Sequence, residues 1–152
     1  MAETPTCSCG ANEPKRIIFP CAGQANTGQL TNLAAIQLTD EGYGSIACVA
    51  LLATGDEGLV ASARKADEVL ILDGCPMICA RKIADAQQVP VAQHLVVTDL
   101  GIVKGPSKSY TEEDVETVVL AAWRGEGREK DSPGPSKKNG GSNGGCGCGG
   151  TC

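Results

Sequence analysis

The chain has 152 residues, of which 41% are hydrophobic and only 3% aromatic, and its formal charge is −5. This length suits one domain whose core is built from aliphatic side chains, and the excess of acid argues against a nucleic-acid partner, because phosphate binding needs a basic face. No run of about 18 apolar residues is present, so we also expect no membrane-spanning segment.

The chain divides by composition into three segments. Residues 1–14 are polar and are predicted to form a flexible arm, and residues 15–124 form the predicted core domain. In residues 125–152, 10 of the 28 residues are glycine and no apolar residue other than cysteine occurs. Such a segment cannot bury enough surface to offset its chain entropy, so we predict a disordered Gly/Cys-rich tail.

Within the core domain, short apolar runs alternate with helical patterns. The predicted strands are, in chain order, residues 17–19, 46–52, 69–72 and 94–97. The predicted helices are residues 28–41, 57–65, 76–88 and 111–123, the last with Thr111 as its N-cap and Asp114 in its first turn. This alternation predicts an α/β fold: a small, mostly parallel sheet with helices on both faces, in a Rossmann-like three-layer αβα arrangement.

The chain contains nine cysteines, which is an unusual number for its length. Its first residues, MAETPTCSCGANEPKR, contain no apolar stretch of the kind found in a secretory signal peptide. We therefore expect a cytoplasmic protein, and in that reducing compartment clustered cysteines more often bind metal or carry out redox chemistry than form disulfides. Five cysteines belong to the arm and the tail, and for those of the tail metal binding and an unstructured extension are equally good interpretations. They are Cys7, Cys9, Cys146, Cys148 and Cys152.

Three apolar runs bring a cysteine to, or near, one edge of the predicted sheet. Cys21 follows the first strand, Cys48 lies on the second and Cys75 follows the third, and both separations are 27 residues. That spacing approximates one βαβ step of roughly 30 residues. Equivalent positions on parallel strands lie about 4.8 Å apart, which is compatible with the sulfur separation of about 3.8 Å in a tetrahedral zinc site.

The fourth predicted ligand is Cys79. If Pro76 opens a helix, Cys75 is its N-cap and Cys79 lies one turn further on the same face, with both sulfurs near the positive end of the helix dipole. The sequence thus predicts a metal site of Cys21, Cys48, Cys75 and Cys79, with zinc before iron. Four thiolates close the coordination shell, as in structural zinc sites, whereas three would leave an open position.

Simpler interpretations apply to several of these residues. Cysteine often acts as a small buried hydrophobe, and this applies most to Cys48 because it lies inside an apolar run. Asp73 is predicted to form an Asx turn with Gly74 rather than to bind metal or act in catalysis. His94 begins a strand away from the predicted ligands, so we expect a structural histidine with a hydrogen-bond partner.

Three stretches carry a family resemblance: PCAG at 20–23 followed by Gly28, DGCPMICA at 73–80, and HLVVTDLGI at 94–102 followed by Lys104. Together they resemble the family of zinc-binding proteins named after its Asp-Gly-Cys (DGC) motif, over about residues 16–104. The resemblance implies four cysteine ligands for zinc, which fall by position on Cys21, Cys48, Cys75 and Cys79. It implies no reaction, and it does not cover the cysteine-rich termini.

Other functions remain open from the sequence. A thiol redox enzyme could use Cys21, which follows a strand and precedes a Gly-containing loop, or the pair Cys75 and Cys79. The loop from Cys21 to Thr27 is similar to that of small cysteine phosphatases and arsenate reductases. Those families have arginine at the sixth position after the cysteine, and Thr27 in its place argues against oxyanion chemistry. An iron–sulfur cluster also suits four thiolates, and metal delivery is a variant in which the tail collects ions.

Overall fold

The structure is a computed structural model that describes residues 13–130. The predicted arm, apart from its last two residues, and the predicted tail beyond residue 130 lie outside the described residues, together with their five cysteines. The strands are β1 (Arg16–Pro20), β2 (Ser45–Ile46), β3 (Glu68–Asp73) and β4 (Gln93–Val96). The α-helices are α1 (Asn26–Asp40), α2 (Val49–Ala53), α3 (Glu57–Lys65), α4 (Cys79–Ala86) and α5 (Glu112–Trp123). A 3₁₀ helix over Val97–Leu100 follows β4.

The four strands form one parallel sheet in the order β2-β1-β3-β4, with core on both of its faces. Ile18 and Leu70 point to the face covered by α1 and α5, and Phe19 and Ile71 point to the face covered by α2, α3 and α4. Strands buried on both faces read as continuous apolar runs, which is why β1 and β3 could be found in the sequence. The predicted three-layer α/β fold is confirmed. None of the described helices is long and apolar enough to cross a membrane.

Two predicted elements differ in the structure. Residues 46–52 are not a strand: β2 ends at Ile46, and Cys48 is the N-cap of α2, its Sγ accepting a hydrogen bond from Leu51 N at 3.4 Å. A short apolar run fits a strand and a short helix equally well, and here the helix forms. The predicted helix at Pro76 also begins later, at Cys79.

A carboxylate from β3 explains the later start of α4. Asp73 Oδ1 accepts a hydrogen bond from Ala80 N at 2.9 Å, and Asp73 Oδ2 accepts one from Arg81 N at 3.1 Å. These are N–H groups of the first turn, which have no partner within the helix. The N-cap residue itself, Ile78, makes no side-chain capping bond. A tertiary contact therefore fixes where this helix begins. The predicted start of α5 is confirmed, because Thr111 and Asp114 form a capping box.

The chain keeps contact with the sheet after α5. Gly127 O accepts a hydrogen bond from His94 N at 2.9 Å, and Arg128 pairs with Gln93 in an antiparallel bridge. Arg128 also donates two hydrogen bonds to the carboxylate of Glu68, which lower the pKa of that group below its ordinary value. The predicted boundary at residue 124 thus falls before these contacts, which involve residues 127–129.

Candidate functional site

The candidate site lies where the chain reverses direction across the sheet. From β1 the chain passes through α1 on one face to β2, and it returns through α2 and α3 on the other face to β3. The carboxyl ends of β1 and β3 therefore flank a topological switch point, the usual ligand position in open α/β sheets. A cavity of about 690 Å³ is lined by residues that directly follow these two strands, Cys21 and Gly74 among them.

Two glycines bring the walls of this cavity together. A Cβ atom at Gly28 would lie 2.5 Å from Gly23 O, and one at Gly74 would lie 2.7 Å from Gly28 N. Side chains at these positions would collide with backbone atoms, which cannot move aside by changing rotamer. The end of β3, the loop after β1 and the first turn of α1 consequently meet at contact distance.

Cys21 is held at the end of β1 by contacts from neighbouring elements. Its N–H donates to Leu72 O at 2.8 Å, and its Sγ accepts a hydrogen bond from Gly74 N at 3.3 Å. The same sulfur lies 3.7 Å from Thr31 Oγ1 on α1. Its side chain is partly exposed and lines the cavity. A hydrogen-bond donor aimed at the sulfur would stabilise negative charge on it, whether the thiolate acts as a ligand or as a nucleophile.

Cys75 and Cys79 line the same cavity from the segment after β3. Cys75 is partly exposed and its Sγ lies 3.5 Å from Lys104 Nζ, whereas Cys79 is exposed as the first residue of α4. Between them, Ile78 has a positive φ of 45°. That backbone conformation is rare for a β-branched residue and, where it occurs, often marks a functional turn. The structure therefore brings three of the four predicted ligands to one cavity.

Cys48 is placed differently. It is exposed and lies in a neighbouring groove, which Cys21 also lines. Within residues 13–130, no three cysteine, histidine, aspartate or glutamate side chains lie close enough together to hold one metal ion. The predicted four-cysteine ligand set stays a prediction, and as placed the thiols do not form a closed coordination shell.

The carboxylate of Asp73 anchors both ends of the segment that carries Cys75 and Cys79. Asp73 is 1% exposed and, besides capping α4, its Oδ2 lies 2.9 Å from Nε2 of His94. The hydrogen bonds of Asp73 thus go to Ala80, Arg81 and His94 rather than into the predicted Asx turn. His94 has the hydrogen-bond partner that was expected of it. By fixing the end of β3 to the start of α4, this carboxylate sets the positions from which both thiols project.

Sequence reasoning missed the loop that closes one side of the cavity. Asn26, the first residue of α1, is 2% exposed. Its Nδ2 donates to Val103 O at 2.9 Å and to Ser109 O at 2.8 Å, and its Oδ1 accepts from Gly105 N at 2.6 Å. These bonds hold Lys104 beside the cavity. Two signals were available: this lysine closely follows the fourth strand, at the same sheet edge as the cysteines, and it accompanies the third stretch that carries the family resemblance.

Two comparisons with known proteins bear on this site. A family described as "DGC domain" matches residues 17–122. A relative from Pseudomonas aeruginosa, named "Anaerobic and virulence modulator AnvM", is 28% identical over 113 residues, which cover 74% of this chain and 86% of that protein. No solved structure matches the chain. The family match includes all four predicted ligand positions.

Proposed function

This chain belongs to the DGC domain family, and we propose that it is a small thiol-based modulator that binds a thiophilic metal ion, zinc before iron. The Pseudomonas aeruginosa relative is itself named a modulator. Cys21, Cys75 and Cys79 are the proposed ligands. A closed coordination shell would have Cys48 as its fourth ligand.

One observation carries the proposal: three thiols from two strand ends and one helix start line a single cavity at the switch point. Thiolates are preferred ligands of zinc and of other soft ions. The cavity also gives access to the thiols, because an ion entering it would meet all three sulfurs without passing through the core. When bound, zinc would supply a cross-link between β1 and α4 and, without Cys48, an open coordination position.

Binding would require the thiols to approach one another, because they are too far apart as placed. The turn from Cys75 to Ile78 is the segment best suited to move. It joins two fixed points, the end of β3 and the start of α4, and it contains the left-handed Ile78. A residue in that conformation stores strain that a rearranged turn would release. The bonds from Asp73 would keep α4 in place during this change.

Metal analysis of the full chain tests the proposal. We expect about one ion per chain after purification without oxygen, because three or four converging thiolates suit a single zinc. An absorption spectrum separates the metals, since zinc thiolates are colourless and an iron–sulfur cluster absorbs visible light. Metal well below one ion per chain after anaerobic preparation would contradict a tight site.

The contacts of Cys21 favour a second candidate, a thiol redox function. Its Sγ already accepts a hydrogen bond from Gly74 N and faces a cavity that holds two further thiols. A disulfide between two of these thiols would require the same approach as metal binding. The two functions differ in whether a bound metal ion shields the sulfur of Cys21 from reagents in the native protein.

Alkylation by iodoacetamide at neutral pH, followed residue by residue by mass spectrometry, separates the two candidates. In metal-loaded protein we expect Cys146, Cys148 and Cys152 to react before Cys21, because a metal-bound sulfur is shielded. A chelator should then speed the reaction of Cys21. If Cys21 reacts faster than the tail cysteines while the metal is bound, the redox function replaces the metal site, because the thiolate is the reactive form.

A further inference from the structure

The cavity that holds the thiols has a second wall with a different chemistry. α1 starts at Asn26, its N-cap residue Ala25 offers no side-chain hydrogen bond, and its first turn contains no acidic residue. The first N–H groups of a helix have no partner within it and carry partial positive charge. The N–H of Asn26 is taken by Gly105 O, and the next two residues, Thr27 and Gly28, line the cavity.

Thr27 adds an observation that is independent of the helix end. Thr27 is 1% exposed, and its Oγ1 has no hydrogen-bond partner within residues 13–130. Buried hydroxyl groups are nearly always paired, because an unpaired one destabilises the fold. This hydroxyl therefore needs a partner, and the cavity beside it is the place from which a ligand could supply one.

Lys104 brings a full positive charge to the same cavity. Its Nζ lies 3.5 Å from Cys75 Sγ, and an ammonium group has three hydrogen-bond donors, so two remain for a ligand. The position of this lysine is coupled to the helix, because Asn26, the first residue of α1, binds the backbone on both sides of Lys104. The cation, the hydroxyl and the helix end thus belong to one connected unit.

We propose that this unit binds a phosphate-type oxyanion, either free or as the terminal group of a small molecule. Helix N–H groups, a hydroxyl and an ammonium are all donors, and they match a ligand that only accepts hydrogen bonds and carries negative charge. The loop from Cys21 to Thr27 has no arginine, because Thr27 stands at that position. Lys104 supplies the positive charge instead. A volume of about 690 Å³ leaves room for more than the inorganic ion. The site does not depend on a bound metal.

Calorimetric titration of the full chain as purified, at fixed ionic strength, tests this site, with inorganic phosphate and phenyl phosphate as probes. We expect saturable binding of at least one probe. Tighter binding of phenyl phosphate assigns the site to a phosphorylated small molecule, and equal binding assigns it to the free ion. No saturable binding of either probe would overturn the proposal.

Three substitutions make the test specific. Lys104→Gln should weaken binding about tenfold, because it removes a charge-assisted hydrogen bond. Thr27→Val should weaken it about fivefold without lowering the melting temperature, since it removes a hydroxyl that is unpaired in the protein alone. Lys108→Gln is the matched control, because Lys108 is exposed on the same loop but does not line the cavity. It should bind like the unmodified chain.

Two outcomes of the variants would also overturn the site. If Lys108→Gln weakens binding as much as Lys104→Gln, the attraction is general charge and not a site. If Thr27→Val binds the probes as tightly as the unmodified chain, the hydroxyl does not contact the ligand. Thr27→Ser keeps the hydroxyl and should bind the probes like the unmodified chain. Metal content is measured on the same preparations, independently of probe binding, so failure of this proposal and failure of the metal site are distinguishable.

Discussion

Replacing Gly74 by alanine should destabilise the protein by about 3 kcal/mol, at the upper end of what overpacking costs. The new Cβ atom would lie 2.7 Å from Gly28 N and 2.9 Å from Thr27 C. Both are backbone atoms of the first turn of α1, so relief would require the helix and β3 to separate. That movement would also displace Cys75 and Cys21, because the Sγ of Cys21 accepts its hydrogen bond from Gly74 N.

Urea unfolding of Gly74→Ala measures this effect, and Gly58→Ala in α3 is its control. A Cβ atom at Gly58 would meet only Asp56 Oδ1, the oxygen that caps α3, at an ordinary contact distance of 3.4 Å. We expect this control to lose no stability, because alanine is the better helix former. An unchanged unfolding midpoint for Gly74→Ala would contradict a close contact between the end of β3 and α1.

Cys75→Ser and Cys79→Ser should each abolish tight metal binding. A four-thiolate zinc site can contribute on the order of 10 kcal/mol to the folded state, and a hydroxyl replaces a thiolate poorly. Metal content per chain and the change of melting temperature on chelation are the two measurements. Each variant should lose the metal and should no longer respond to the chelator.

Substitutions elsewhere control this experiment and refine it. Cys146→Ser and Cys148→Ser should leave the metal in place, and loss of metal in either one would make the ligand assignment wrong. Cys48→Ser separates two forms of the site, because Cys48 lies in the neighbouring groove. Retained metal in that variant would indicate three protein ligands and an open position, and lost metal would indicate a closed shell.

The fold could be predicted from the sequence where the local hydrophobic pattern and the tertiary environment favour the same type of element. β3 lies under helices on both faces, so its apolar run from Val69 to Leu72 has no polar interruption. The run containing Cys48 was assigned wrongly, because β2 is exposed and has only two residues while the rest of the run forms a short helix. Periodicity over seven residues cannot separate these states.

The candidate site was predictable to the extent that it follows from strand ends. Parallel strands place their carboxyl ends together, and this brought Cys21 and Cys75 to one cavity. The role of Asp73 was not predictable. It caps a helix six residues further on and binds His94, and these partners meet only when β3, α4 and β4 pack together. Asn26 likewise holds the loop around Lys104 by hydrogen bonds to Val103 and Ser109, which lie 77 and 83 positions further along the chain.

The contacts made by residues 127–129 also bear on association between molecules. A parallel sheet in the order β2-β1-β3-β4 has two lateral edges, and unpaired strand edges recruit other chains. The β2 edge is only two residues long, and the β4 edge is occupied by the chain itself through Gly127, Arg128 and Glu129. A chain shortened to residue 124, as composition would suggest, would uncover β4 and invite aggregation. One that ends after residue 130 keeps that edge paired.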